Sequence, residues 1–282
     1  MKIAISAEST VDLSKELIEK FDVKIIPLEI TLGDRTDFDG VITCDEIIQF
    51  VNENNVLPKT GAANEFRFIE YFEEIRKEYD AIIHVSLSSE LSCTYQNAVS
   101  AAQKVGGVYV VNSKSLSTGI ALLVLYARKL VDKGLDAEEI YEKVCARVDK
   151  VQASFVLKRL DYLHKGGRCS SIAYLGANIF KIRPQIIVTE GKMISGKKFK
   201  GDFAKVVKEY ATSVLEEFNN PDTSVVFITY TTADQQIIDD VTQMLKDYGF
   251  EDVYITRAGG TITSHCGENC LGVLYINDGK QD

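Results

Sequence analysis

Hydroxyl-bearing residues stand repeatedly between a short apolar run and a helical pattern, a placement suited to holding a small anion. Residues 81–85 (Ala-Ile-Ile-His-Val) read as a buried strand, 86–92 (Ser-Leu-Ser-Ser-Glu-Leu-Ser) as a turn, and the residues from Cys93 to Gln103 as a helix. Ser92 is the expected N-cap. A helix start carries unpaired N–H groups and the positive end of the helix dipole. With the hydroxyls of Ser92 and Thr94 beside Cys93, the junction suits a carboxylate or a phosphate. Thr60 and Gly61 form a second such place, in a loop just ahead of a helix that Asn64 caps.

Two more strands end in similar turns. Residues 2–6 run into Ala7-Glu8-Ser9-Thr10, with Asp12 as the expected cap of a helix to about Lys20, and residues 108–111 run into the serine-rich stretch 112–119 ahead of an apolar helix over 120–133. Taken singly, these serines and threonines cap turns and helices and nothing more. Taken together they become a candidate site, because α/β sheets bind ligands beyond the carboxyl ends of neighbouring strands. Arg168, set after Gly166-Gly167, is either a solvated side chain or a cation able to reach into that site. The stretch 259–270, which contains Ser264 and His265, is the densest polar and glycine-rich loop of the chain.

These residues exclude several chemistries. No turn matches G-x-G-x-x-G or G-x-x-x-x-G-K-[ST], so neither a dinucleotide nor a nucleoside triphosphate is indicated, and no cofactor is expected. His265, Cys266 and Cys270 lack a fourth ligand and paired spacing, so no zinc site is expected. A cytoplasmic hydrolase or acyltransferase using Cys93 or Ser92 with His265 as base is the alternative, though no G-x-S-x-G elbow is present. A pure protein-interaction module is a third class.

The elements that must carry these groups fall into two units, expected at 1–152 and 153–282. The first reads as a mainly parallel α/β sandwich: strands at 23–32 (interrupted by Pro27), 81–85 and 108–111, a polar turn at 33–39, a capping box at Thr43–Glu46 opening a helix to about Asn54, and Asp136 opening a helix to about Val151. The second reads as α+β with a mixed sheet. It has a strand at 154–157, a short helix at 158–165 and a helix over 172–182 capped by Ser170 or Ser171. Pro184 is a break, and 185–189 pairs with 192–194 through Glu190-Gly191. Helices at 202–218 and 233–248 and strands at 224–230, 253–256 and 273–276 complete it. The ligand is expected in the cleft between the units.

Composition limits the partners. The chain has 282 residues, 45% of them hydrophobic, and 32 Lys and Arg against 41 Asp and Glu give a net charge of −9. With no basic stripe, nucleic acid is not an expected partner. No apolar run approaches a membrane span, and the first residues read as a strand rather than a leader, so stable membrane insertion is not expected and the cytoplasm is. Six cysteines without paired spacing are expected as reduced thiols.

The segments Glu8-Ser9-Thr10-Val11-Asp12-Leu13, Ser89-Glu90-Leu91-Ser92-Cys93-Thr94-Tyr95-Gln96, Tyr162-Leu163-His164-Lys165-Gly166-Gly167-Arg168 and His265-Cys266-Gly267 together resemble the DegV family of bacterial fatty-acid-binding proteins. The resemblance implies a two-domain protein that buries one long-chain fatty acid in a tunnel. Its carboxylate would be held by Thr60 and Ser92, with Gly61, Cys93, Thr94, Arg168, Ser264 and His265 in the surrounding network. It also implies a carrier rather than a catalyst, whose acid is presented to a separate ATP-dependent fatty acid kinase that makes acyl phosphate for phospholipid synthesis. A tail of about fourteen to eighteen carbons would supply most of the affinity, at ~0.8 kcal/mol per buried methylene. The chain departs from the family pattern at Gly61-Ala62-Ala63-Asn64, where Ser and Pro usually follow the threonine. It departs again at Cys93, usually Gly, at Glu268-Asn269, usually Pro-Gly, and at Glu8, where Asp is commoner.

Overall fold

The computed structural model describes residues 1–169 and 182–280. Three sheets organise them. Strands β1 (Ile3–Glu8), β2 (Val23–Ile26), β6 (Ala81–Ser86) and β7 (Val108–Asn112) form a four-stranded parallel sheet in the order β2-β1-β6-β7. Strands β8 (Val151–Leu157), β9 (Ile182–Thr189), β10 (Lys192–Lys200), β11 (Val225–Tyr230), β12 (Asp252–Arg257) and β13 (Cys270–Ile276) form a six-stranded mixed sheet in the order β10-β9-β8-β13-β11-β12. In the mixed sheet only β11 and β12 run parallel. The third sheet is small and antiparallel, built from β3 (Glu29–Leu32), β4 (Arg35–Phe38) and β5 (Lys59–Gly61).

Helix α5 (Thr118–Asp132) lies between the two large sheets, against β1 and β6 on one side and β8, β11 and β13 on the other. This position explains its sequence. A helix covered on both sides needs apolar residues around most of its circumference, and Ile120, Ala121, Leu122, Leu123, Val124 and Ala127 are all buried. The remaining helices take amphipathic places around the sheets: α1 (Lys15–Lys20), α2 (Cys44–Asn54), α3 (Glu65–Arg76), α4 (Thr94–Val105), α6 (Ala137–Arg147), α7 (Asp161–Gly166), α8 (Phe203–Glu217), α9 (Gln235–Tyr248) and α10 (Gly260–Cys266). Among the described residues no helix is long and apolar enough to cross a membrane.

Several expected caps are in place. Thr43 and Glu46 close a full capping box on α2, and Asn64, Asp136 and Asp202 each accept a hydrogen bond from a backbone N–H of their helix's first turn. Others are corrected by the structure. Asp12 does not cap α1, since Ser14 takes that role and Asp12 sits buried in a left-handed conformation. Ser92 is one residue too early to be the N-cap of α4. Cys93 occupies the cap position without a side-chain cap, and Ser92 instead accepts from the Thr94 N–H at 3.2 Å.

Four expectations of irregular or broken backbone are also corrected. The turn expected at 33–39 contains β4, and the Thr60-Gly61 loop is strand β5. The loop expected at 259–270 holds helix α10, and Pro184, expected to break the chain, lies inside β9. The proline is tolerated because it pairs with Lys198 next to a register shift, where the ladder is already interrupted. The helix expected over 172–182, with Ser170 or Ser171 as its cap, lies outside the described residues apart from Ile182, which opens β9.

Gly260 is set so tightly that a Cβ would lie 2.4 Å from Ile30 Cδ1 and 2.9 Å from the Ile42 carbonyl oxygen. Gly260→Ala is therefore expected to lower unfolding free energy by roughly 1–3 kcal/mol, the usual cost of overpacking. A shift of the urea midpoint measures it.

Candidate functional site in the cleft

The site begins with how α10 is held. This short helix comes from the mixed-sheet unit, yet carboxylates of the other unit take its first N–H groups. The Gly260 N–H donates to Asp39 Oδ1 at 2.7 Å, the Thr261 N–H to Asp39 Oδ2 at 3.1 Å and the Gly259 N–H to Asp12 Oδ1 at 2.8 Å. The Asp39 charge at the helix start is favourable, and all three bonds satisfy donors that the helix itself leaves open. Asp39 also accepts from the Ser9 hydroxyl at 3.0 Å and Asp12 from the Ser117 hydroxyl at 2.5 Å. Burial pushes the Asp12 carboxyl up to about 8, with the Asp39 charge adding to it against the bonds from Ser117 and Gly259.

So anchored, α10 places His265 in the cleft. Its Nε2 lies 2.9 Å from Thr60 Oγ1 of β5, a contact that joins the two units across 205 residues. The ring sits over Gly166, where a Cβ would come within 2.7 Å of Nδ1. That contact explains the first glycine of the Lys165-Gly166-Gly167-Arg168 segment. The second, Gly167, ends α7 in a left-handed conformation. Burial, with the nearby Arg168 guanidinium adding to it, lowers the His265 pKa to about 4. The imidazole is thus neutral at physiological pH and presents one donor and one acceptor. Its Nδ1 is buried without a hydrogen-bond partner among the described residues.

Beside this pair opens a cavity of about 260 Å³. Thr60, Gly61, Ser92, Cys93, Arg168 and His265 all line it, so six of the eight residues singled out in the sequence meet at one place. The other two do not line it. Thr94 is buried with its hydroxyl 2.8 Å from that of Ser92, and the Ser264 hydroxyl donates to the Gly260 carbonyl within its own helix. Arg168 is exposed, donates to the Gly166 carbonyl at 2.6 Å and has no carboxylate partner among the described residues. The rest of the wall is largely apolar, including Leu28, Leu87, Leu91, Leu116 and Met193. A chamber of about 30 Å³ adjoins it, sharing Leu116, Ile262 and Cys266 and lined further in by Phe155 and Leu274.

The three strand-end turns do converge, but most of their polar atoms are used internally. Glu8, fully buried, accepts from the Ser86 hydroxyl at 2.6 Å and the Leu87 N–H at 2.9 Å, and lies 3.0 Å from His84 Nε2. His84 Nδ1 in turn lies 2.7 Å from the Ser6 hydroxyl. Burial works to raise the Glu8 pKa, but His84 and these hydrogen bonds outweigh it and hold the carboxyl below its ordinary value. Ser88 donates to the Gly191 carbonyl at 2.7 Å, tying the turn to the β9–β10 hairpin, and Ser89 accepts from Asn112. What remains for a ligand is a small set of hydroxyls on the wall of a largely apolar cavity. Thr10 and Thr261, not singled out in the sequence, also line it. Thr10 stood in a quoted motif and Thr261 in the polar stretch 259–270, where a loop rather than a helix was expected.

Among the described residues no hydrogen bond joins His265 to Ser92 or Cys93, and its Nε2 pairs with Thr60 instead. No disulfide joins the six cysteines, and no cluster among the described residues could hold a metal ion.

These features define a two-unit α/β protein with an apolar cavity and a polar, hydroxyl-lined mouth at the junction of its units. The chain belongs to the DegV family, whose model, described as an uncharacterised protein family, matches residues 2–278. A fatty acid-binding protein of Thermotoga maritima is 31% identical over 284 residues, covering 96% of both chains. A solved Thermotoga maritima structure reported to reveal a fatty acid binding function is 27% identical, with a TM-score of 0.83 over 98% of this chain and 99% of that one. The fatty-acid-binding DegV family protein of Thermus thermophilus shares the fold with a TM-score of 0.90 at 24% identity, over 99% of this chain and all of that one.

The Asp12 carboxyl gives a pH test of the anchor. Its pKa is raised from 3.8 to about 8, so over that interval the folded protein keeps a proton that the unfolded chain releases. The associated stability is complete below pH 3.8 and is lost as pH rises through 8. Asp12→Asn should flatten this decline, read as urea midpoints measured for both proteins between pH 5 and pH 8.5.

Proposed function

We propose that this chain is a fatty-acid carrier that operates in the cytoplasm. The acid's carboxylate is held at the cleft by Thr60 and Ser92, beside neutral His265 and with Arg168 at the mouth. Its acyl chain lies in the apolar cavity and passes Leu116, Ile262 and Cys266 into the adjoining chamber. The observation that carries this reading is the cavity itself, apolar along most of its wall and polar where Thr60, Ser92 and His265 meet. The fatty acid binding of the Thermotoga maritima relatives supports it.

The physical division of labour is simple. Each methylene removed from water contributes ~0.8 kcal/mol, so a tail of about sixteen carbons dominates affinity before ordering costs are subtracted. The head group sets direction. A carboxylate held by neutral hydroxyls, with Thr60 backed by the neutral His265 imidazole, keeps its charge without being locked in a bidentate ion pair, and its oxygens stay available to an incoming phosphoryl group. On this reading a separate ATP-dependent kinase docks at the mouth and converts the bound acid to acyl phosphate for phospholipid synthesis. The units meet at 152/153 in this reading, inside β8 and two residues from its start.

Native mass spectrometry of the purified protein, followed by solvent extraction, is expected to release one long-chain acid per chain. Thr60→Ala and Ser92→Ala should each weaken palmitate binding by roughly 1–3 kcal/mol, the cost of leaving a buried charged group short of a donor. A clean apo mass that does not shift with palmitate or oleate would overturn the assignment. Acyl phosphate formed on adding a fatty acid kinase and ATP, and lost in the double variant, tests the presentation step.

A further inference from the structure

Two residues of the cavity wall carry hydroxyls that nothing in the described structure satisfies. Thr10 is fully buried and Thr261 is 5% exposed, and the Oγ1 of each has no hydrogen-bond partner among the described residues. An unpaired buried hydroxyl costs roughly 1–3 kcal/mol, so such groups are normally paired with protein, water or a ligand. They come from different units, Thr10 from the turn after β1 and Thr261 from the first turn of α10, and both line the cavity. The segments that carry them meet at one carboxylate. The Ser9 hydroxyl and the Thr261 N–H both reach Asp39 Oδ2, at 3.0 and 3.1 Å. Around them the wall is apolar, with Leu28 and Ile262 as sequence or spatial neighbours.

Thr261 and His265 are four residues apart on α10, so they share a face and stand about one helical turn, ~5.4 Å, from each other along the helix. A carboxylate beside His265 whose chain runs along this face of the helix passes Thr261 with its first few carbons. We propose that Thr10 and Thr261 form a polar subsite in the cavity for a hydroxyl carried near the carboxyl end of the acyl chain, which makes a hydroxy fatty acid such as a 3-hydroxy acid the preferred ligand. This rests on the fatty-acid reading and narrows it. Each threonine can donate to or accept from such a hydroxyl, whereas a plain methylene at the same place leaves both unpaired.

The test is competition between palmitic acid and 3-hydroxypalmitic acid for the full chain, read by native mass spectrometry. The wild-type protein is expected to favour the hydroxy acid about tenfold, the equivalent of one well-made hydrogen bond in a buried place. Thr10→Val and Thr261→Val should each bring the ratio to one or below, and Thr261→Ser, which keeps the hydroxyl, should retain the preference. A wild-type ratio at or below one, with palmitate still bound, would overturn the subsite and leave the carrier reading standing. A preference that survives both valine variants would overturn it equally. If neither acid binds, the carrier reading itself fails.

Discussion

The site depends on one contact, the seating of α10 against Asp39 and Asp12. Helix α10 is short and rich in Thr and Ser, residues with modest helix propensity, and it has little stability of its own. Its first N–H groups are satisfied by carboxylates from the other half of the chain, and Gly259 and Gly260 permit the close approach. This one arrangement both forms the helix and fixes it across the cleft. His265 reaches Thr60 only because the far end of its helix is anchored in the opposite unit. The anchor is also costly: burial of the Asp12 carboxyl, with the Asp39 charge adding to it, raises the Asp12 pKa, which reflects that cost.

The rest of the fold supplies rigid walls. With α5 packed against both large sheets, the two units share a continuous apolar core that includes Ile5, Ile83, Leu123, Phe155 and Leu274. The Glu8–His84–Ser6 network fixes the turn that carries Leu87, Leu91 and Ser92 toward the cavity. Since Ser86, Ser88 and Ser89 are occupied in holding the turn, the polar mouth is confined to a few groups. Confinement of this kind lets an apolar cavity distinguish the two ends of an amphiphile.

Charge at the mouth is sparing. Burial keeps His265 neutral, the one cation lining the cavity among the described residues is the exposed Arg168, and the chain as a whole is acidic. On the proposed reading, anion recognition rests on hydroxyl dipoles beside a neutral imidazole rather than on a buried ion pair. Desolvating two opposite charges would require close geometry in return, whereas neutral donors leave the bound group accessible at the mouth.

Local signals in the sequence determined most of the elements. The Thr43–Glu46 box, the caps at Asn64, Asp136 and Asp202, and the Glu190-Gly191 turn each act over a few residues and are legible there. The hydroxyl junctions after β1, β6 and β7 likewise announced a site at one edge of a parallel sheet, and the resemblance carried Thr60, Ser92, Arg168 and His265 to it. Only the tertiary structure decided that Asp12 anchors α10 instead of capping α1, that Thr60 lies on a strand of a third sheet, and that Thr94 and Ser264 turn away from the cavity. It alone brought in Thr261, on a helix concealed in a glycine-rich stretch. The reason is the same in each case: these residues take their roles from partners far along the chain, and no local pattern of caps or hydrophobic spacing records a contact between Thr60 and His265.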